Sequence, residues 1–326
     1  MLGTRPARRP SNRRDFPGGS IGGTALYEIL AKSTLAPRVT RYVVRAPEVA
    51  RARRAGQFVI VRPRDDSERI PLTIADATTD TITLVVQEVG KTTAVMADMQ
   101  AGESFADVCG PLGRPTHVDH VGTVVVVGGG IGIAPAHPIA QAFKAAGNRV
   151  ISILGGRNRE FVIMEDEMRR ASDRVLVFTD DGSYGRKGFV THALQELIDA
   201  GEKIDEVVAI GPAIMMKKVS ELTKPHAIPT LVSLNTIMID GTGMCGGCRV
   251  GVGGKTQFVC VDGPEFDGHQ VDFDLMMRRQ AMYTELERRS YEDYLAHHRC
   301  RLEPQLAAPR PAAVRPATPA TGEGAR

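Results

Sequence analysis

At 326 residues, with 42% hydrophobic and 24% charged residues, the chain has the length for two or three globular domains and the composition of a soluble protein. A formal net charge of +3, with its basic residues gathered in no recognisable motif, argues against nucleic acid as a partner. No run of 18 apolar residues occurs, so no transmembrane helix is expected.

Residues 1–23 read as a disordered basic tail in which Arg5, Arg8, Arg9, Arg13 and Arg14 stand among Pro, Gly and Ser. The pair Arg13-Arg14 is similar to a twin-arginine export signal. However, Gly18, Gly19, Gly22 and Gly23 interrupt the apolar run such a signal needs, and a solvated tail is expected instead. From 24 to 115 the β-branched runs at 39–44, 57–61 and 81–86, separated by Pro, Gly and Asp, predict a small β-barrel or sandwich. Two spots there can carry chemistry. In the first, Arg69-Ile-Pro-Leu-Thr73, an arginine able to pair with phosphate and a hydroxyl flank a rigid proline. In the second, Gly90-Lys-Thr-Thr93, backbone N–H groups and hydroxyls are on offer to a pyrophosphate. Either spot alone is equally an ordinary surface arginine or a turn.

Near residue 122 the cadence changes to strand, glycine turn, helix. Val124–Val127 is continuously apolar, as expected of a parallel strand buried on both faces. Gly128-Gly-Gly-Ile-Gly132 follows, then an alanine-rich helix to about Ala146. Further strands are predicted at 150–154, 175–178 and 207–210, ending in Gly155-Gly-Arg157, Thr179-Asp-Asp-Gly182 and Gly211-Pro212. Open α/β sheets bind nucleotides at such carboxyl ends. A last apolar strand is expected at 228–234, an amphipathic helix over 275–300, and a Pro/Ala-rich disordered tail over 301–326.

Three of the five cysteines fall within a 16-residue, glycine-rich window, in the pattern Asp240-x4-Cys245-x2-Cys248-x11-Cys260. Plant-type 2Fe–2S proteins use Cys-x4-Cys-x2-Cys with a distant fourth cysteine. Here Asp240 holds the first place, and a carboxylate, though harder than a thiolate, can ligate iron. Structural zinc, or a disulfide with one free thiol, would use the same residues. Clustered cysteines point to a reducing compartment, hence the cytoplasm. Cys300 lies off the pattern, Cys109 is expected to be a buried structural cysteine, and the eight histidines are expected at the surface or in caps.

Taken together, Arg-x-Pro-Leu-Thr, Gly-Lys-Thr-Thr, Gly-Gly-Gly-Ile-Gly and Gly-Pro-Ala-Ile-Met-Met resemble the ferredoxin–NADP reductase superfamily. The strings Asp240-Gly-Thr-Gly-Met-Cys-Gly-Gly-Cys-Arg-Val and Cys260-Val-Asp-Gly-Pro-Glu-Phe-Asp-Gly-His269 narrow the resemblance. They are similar to the small subunits of sulfide dehydrogenase and of NADH-dependent reduced ferredoxin:NADP oxidoreductase. That group is related to the electron-transfer subunit of dihydroorotate dehydrogenase B, where a cysteine replaces Asp240. The resemblance spans roughly residues 24–298 and leaves out both tails.

It implies an FAD-binding β-barrel over 24–115, an NAD(P)-binding parallel α/β domain over 116–226, and a small 2Fe–2S module over 227–274. By the same resemblance Arg69, Pro71, Leu72 and Thr73 contact FAD, with Gly90, Thr92 and Thr93 near its pyrophosphate. Gly129, Gly130, Ile131 and Gly132 face the nicotinamide dinucleotide, with Arg157, Asp181 and Gly211 near it. Asp240, Cys245, Cys248 and Cys260 hold the cluster, and no catalytic acid or base is named.

The implied activity is electron transfer between NAD(P)H, FAD and the cluster. It takes place beside a larger flavin and iron–sulfur subunit similar to the glutamate synthase small subunit, with ferredoxin as a further partner. Two alternatives stand beside it: the electron-transfer subunit of a dihydroorotate dehydrogenase, and a zinc-stabilised nucleotide-binding regulator. No acidic residue ends the second nucleotide strand, and Arg157 and Arg159 follow it, so NAD and NADP both remain open.

Overall fold

The computed structural model describes residues 26–306, with side chains to 297. The expected tail at 1–23, its Arg13-Arg14 pair, the tail beyond 306 and the side chain of Cys300 lie outside the described residues. Six strands come first: β1 (Ile29–Ala36), β2 (Val39–Arg45), β3 (Phe58–Arg62), β4 (Ile70–Ala77), β5 (Thr81–Gln87) and β6 (Asp107–Leu112). They pair antiparallel in the order β1-β2-β5-β4-β3-β6. Backbone bonds from Ile29 N to Glu103 O (2.8 Å) and from Phe105 N to Tyr27 O (3.1 Å) tie the start of β1 to the approach of β6 and close the sheet into a barrel. Alternation drives this: in β2, Val39, Tyr42 and Val44 are buried while their neighbours are less so.

Two short helices, α1 (Pro47–Ala52) and α2 (Lys91–Asp98), interrupt the strands. At six and eight residues they are too short to impose a helical period on the sequence, and so were not expected. Cys109 is exposed rather than buried. It follows the inward-facing Val108 on β6, and the side-chain period of two turns it outward.

The second unit runs β7 (Thr123–Gly129), a 3₁₀ turn at Gly130–Gly132, α3 (Ile133–Ala145), β8 (Arg149–Gly156), α4 (Glu165–Arg170), β9 (Arg174–Thr179), β10 (Arg186–Lys187), α5 (Val190–Asp199), β11 (Glu206–Ile210), α6 (Ala213–Thr223) and β12 (Thr230–Ser233). Every residue of β7 is buried, as its unbroken apolar run requires. The chain ends in β13 (Arg249–Val252), β14 (Lys255–Phe258), α7 (Val259–Asp262), β15 (Glu265–Asp267), α8 (Phe273–Gln280) and α9 (Thr284–Leu306). The large sheet has the order β10-β9-β8-β7-β11-β12-β15 and is parallel except for β15.

The expected division at 226/227 is therefore not a break in the fold, because β12 and β15 extend the nucleotide sheet. One buried core runs from Phe58 and Ile60 of the barrel through Val125 and Ile151 of the sheet to Cys248, Phe266 and Met276. The expected single helix over 275–300 is two helices, joined by a 3₁₀ turn at Ala281–Tyr283, and α9 reaches six residues into the segment expected to be a tail. α9 docks on the barrel, where Tyr291 Oη donates to Glu88 (2.5 Å) and accepts from Arg38 (2.6 Å). His137 on α3 departs from the surface role expected of the histidines: it is 3% exposed and its Nδ1 lies 3.1 Å from Ala75 O on β4. That bond fixes the nucleotide unit against the barrel.

The three units meet at the linker before β7. Arg114 N donates to Gly263 O (2.6 Å), and Thr116 Oγ1 donates to Glu265 (2.7 Å). Burial, reinforced by nearby Glu206, pushes the Glu265 carboxyl up to about 7, against the Thr116 bond that lowers it. A carboxyl raised from 4.5 in this way binds its proton more tightly in the folded state. Its contribution to stability is thus complete below pH 4.5 and is lost as pH rises through 7. Glu265→Gln should remove that loss. Unfolding free energies of variant and wild type from denaturant titrations, compared from pH 4.5 to 8, should diverge in favour of the variant by about 1–3 kcal/mol.

Candidate functional site

After β12 the backbone bond from Leu234 N to Pro264 O (2.9 Å) sets the path of the glycine-rich loop. Gly241 has φ +75°, and a Cβ there would lie 2.7 Å from Ile60 Cγ1 and 2.8 Å from Leu112 Cδ1. The loop thus rests directly on barrel strands β3 and β6, a contact only glycine permits. Asp240 organises the turn. Its Oδ2 accepts from Thr242 Oγ1 (2.7 Å) and Met244 N (2.9 Å), and its Oδ1 from the Cys245 thiol (2.9 Å). These bonds, the Cys245 thiol foremost, hold its carboxyl well below the usual range.

Cys245 is exposed, whereas Cys248 and Cys260 are 2% and 1% exposed. The hairpin β13–β14 pairs Arg249 with Phe258 and so returns Cys260 to Cys248, with the sulfurs 3.2 Å apart. Burial, with the Cys248 thiol beside it, pushes Cys260 up to about 12.

The four predicted ligands are therefore brought together as two pairs, Asp240 with Cys245 and Cys248 with Cys260. Among the described residues no three His, Cys, Asp or Glu side chains converge on one metal position. Paired donors suit a two-iron cluster, in which each iron takes two protein ligands, and do not suit a mononuclear zinc cage.

The predicted flavin residues lie on or near the adjacent strands β4 and β5, with Leu72 turned into the barrel core and Pro71 and Thr73 to its other face. Arg69 is exposed, 3.8 Å from Asp107, while Pro71, Leu72 and Thr73 are half-buried along β4. Gly90, Thr92 and Thr93 form the start of α2, which follows the neighbouring strand β5. The Thr93 hydroxyl is occupied in capping: it accepts from Gly90 N (3.0 Å) and Val89 N (2.9 Å) and donates to Gly90 O (2.9 Å). Thr92 is buried. The first-turn N–H groups of α2, which have no partner within the helix, are the donors such a turn offers an anion.

β3 is the link that no sequence pattern revealed. Ile60 pairs with Pro71 of β4 and touches Gly241 of the cysteine loop. One strand spacing, about 5 Å, therefore separates the predicted flavin strand from the strand that carries the loop.

The predicted nucleotide residues gather at the carboxyl ends of the parallel strands. A Cβ on Gly132 would lie 2.2 Å from Ile210 O and 2.8 Å from Gly211 Cα, and one on Gly211 would lie 3.1 Å from Gly129 O. Gly129, Gly132 and Gly211 are thus packed together where β7 and β11 end. Gly130 and Ile131 are half-buried in the turn, which adjoins β5. Arg157 and Asp181 stand further along the same edge, joined by Asp181 N to Arg157 O (3.3 Å), and both are exposed. The Asp181 carboxylate accepts from Ser183 N (2.9 Å), which holds it below its usual range. Of the two arginines after the second strand, Arg159 lies over the Tyr184 ring at 5.1 Å.

Known proteins match this arrangement. The family model for an oxidoreductase NAD-binding domain matches residues 126–221. That for the iron–sulfur cluster binding domain of dihydroorotate dehydrogenase B matches 235–272, which include all four predicted ligands. A relative from Thermotoga maritima, described as a dihydroorotate dehydrogenase B (NAD(+)) electron transfer subunit homolog, is 47% identical over 84% of this chain and 98% of its own length. The electron transfer subunit of dihydroorotate dehydrogenase B from Streptococcus mutans is 32% identical over 76% and 97%.

Among solved structures, a chain of the NADH-dependent reduced ferredoxin–NADP oxidoreductase superposes with a TM-score of 0.79 at 46% identity, covering 84% of this chain and 100% of that one. Phthalate dioxygenase reductase, at 18% identity and a TM-score of 0.53, shares the fold. No helix among the described residues is long and apolar enough to cross a membrane. The barrel, the parallel sheet and the paired cysteines set against them are those of a ferredoxin–NADP reductase-like oxidoreductase, and the chain belongs to the family of dihydroorotate dehydrogenase B-type electron-transfer subunits.

Proposed function

We infer that this chain passes electrons between NAD(P)H and a partner subunit, with FAD and a 2Fe–2S cluster bound by its own residues. The observation that carries the reading is the contact of Gly241 with Ile60 and Leu112, which sets the cysteine loop one strand from the Arg69–Thr73 segment. FAD supplies the exchange between two-electron hydride chemistry and one-electron transfer, which places it between nucleotide and cluster. Gly129, Gly130, Ile131, Gly132 and Gly211 receive the dinucleotide at the strand ends, with Arg157 and Asp181 further along that edge. Pro71 and Thr73 face the flavin from the outer side of β4, with Leu72 behind them in the barrel core. Arg69 and the start of α2 at Gly90, Thr92 and Thr93 meet its phosphates, and Asp240, Cys245, Cys248 and Cys260 ligate the irons. The chain's work is orientation and exclusion of water rather than acid–base catalysis.

The exposed edge of the loop fits the partner's side. Met244 is 87% exposed, Ile239 56% and Val261 37%, around the exposed Cys245. An apolar rim beside a ligand suits docking of a larger flavin and iron–sulfur subunit, similar to the glutamate synthase small subunit, in the cytoplasm. Ferredoxin is the natural one-electron carrier for such a complex. The likeness to a ferredoxin–NADP oxidoreductase chain, and an aspartate at position 240, favour this partner. The relatives named for dihydroorotate dehydrogenase support a second reading, in which the partner is a dihydroorotate-oxidising subunit. The subunit that co-purifies decides between them.

NADH added anaerobically to the purified chain should bleach flavin absorbance and then produce the EPR signal of a reduced cluster. Protein that contains zinc without iron would sink the reading. Cys248→Ser should abolish the cluster while leaving close to one FAD per chain, since the two sites lie on different elements; simultaneous loss of both cofactors would count against their separate placement. Met244→Asp should slow NADH-driven reduction of the partner at least several-fold while dye reduction at the flavin persists, and equal rates to partner and dye in wild type and variant would remove this edge from the docking face.

A further inference from the structure

Thr236 stands in the segment between β12 and the cysteine loop, and its side chain is 9% exposed. Its Oγ1 is buried with no hydrogen-bond partner among the described residues. A hydroxyl in that state costs stability unless something accepts its proton, and native proteins rarely retain one without a role. The residue is held from both sides. Asn235 accepts the Gln280 amide through its carbonyl (2.8 Å) and its side chain (3.2 Å). On the other side a Cβ at Gly247 would lie 3.8 Å from Ile237 O and 3.5 Å from Cys245 Sγ, so the carbonyl of the next residue lies against the cluster loop. Leu234, Thr236 and Met238 are the buried positions of the segment, and Leu234 and Met238 pack in the same core as Cys248 and Cys260. Arg279 Nη2 bonds Gly247 O (3.2 Å) and closes the frame between α8 and the loop. The hydroxyl is therefore shielded from water, in a segment whose backbone is held against the cysteine loop, on the buried face that its neighbours Leu234 and Met238 share with Cys248 and Cys260.

We propose that Thr236 donates a hydrogen bond to a sulfur atom of the iron–sulfur cluster and thereby raises its reduction potential. This rests on the cluster reading given above. Hydrogen bonds to cluster sulfurs are among the determinants of potential, and a donor stabilises the reduced cluster, which carries the extra negative charge. Thr236 is a positioning and tuning residue and ligates no metal. A retained hydroxyl at this position keeps the cluster a better acceptor for electrons leaving the flavin.

The test uses the full chain with both cofactors bound, as wild type, Thr236→Val and Thr236→Ser. Iron and sulfide content, the cluster potential from an EPR-monitored redox titration, and the flavin potential from visible absorbance are measured on each. Thr236→Val, near in shape but without the hydroxyl, should keep its iron and show a lower cluster potential with an altered EPR spectrum. Thr236→Ser should return the potential toward the wild-type value, and the flavin potential should stay unchanged in both.

An unmoved cluster potential in iron-replete Thr236→Val overturns the proposal and leaves the hydroxyl to a buried water. A raised melting temperature with an unchanged spectrum would likewise show that the hydroxyl has no acceptor in the loaded protein. A shift confined to the flavin potential overturns the proposal by assigning the hydroxyl to the flavin. Loss of iron from both variants assigns Thr236 to packing and also overturns it, whereas loss from Thr236→Val alone supports it. Wild-type protein without iron would defeat the cluster reading itself, a failure distinct from any of these.

Discussion

The contact of Gly241 with Ile60 and Leu112 is the constraint on which the rest depends. A side chain at 241 would drive the cysteine loop off the barrel, because the atoms it would meet are branched core side chains held in a closed sheet. With the loop seated, β3 serves two neighbours at once: its edge pairs with the Pro71 strand, and Ile60 reaches the loop. The shared core from Phe58 through Val125 to Phe266 then fixes the sheet against both. Electron transfer between separate cofactors needs fixed distances more than it needs reactive side chains, and this packing supplies them.

Around that contact, polar groups set the relative placement of the units. His137 bonds Ala75 O across the interface between α3 and β4, and Arg114 and Thr116 hold the segment that follows Cys260. The strands carry the shape of the units, while a few buried polar bonds carry their register against one another. Such bonds are costly to lose because each leaves a buried partner unsatisfied.

At the loop itself the charge pattern is uneven. The Asp240–Cys245 pair lies toward solvent, with the carboxylate anchored by three donors, and the Cys248–Cys260 pair is deeply buried. The outer pair borders the exposed Met244 and Ile239, and the inner pair faces the shared core. The two pairs thus differ in setting, one turned to the core shared with the barrel and the other to the surface.

The sequence by itself determined the parts. The apolar run at Val124–Val127 and the glycines after it marked a buried parallel strand and its turn, since a strand covered on both faces leaves no polar position. The cysteine spacing marked the stretch that matches an iron–sulfur binding domain, since ligand patterns are local in sequence. Alternation alone did not show that Cys109 faces outward, because the phase of a strand is set by which face its neighbours bury. Nor did it place His137 in the core, because that depends on β4 lying against α3. α1 and α2 were too short to leave a period, and the start of α2 turned Thr93 into a cap rather than a free donor. Only the tertiary structure decided that β12 and β15 join the nucleotide sheet, that four ligand candidates sort into two pairs, and that Ile60 lies between flavin strand and cysteine loop. Each of these is a meeting of residues far apart in the chain, and such meetings follow from how units pack, which no local pattern records.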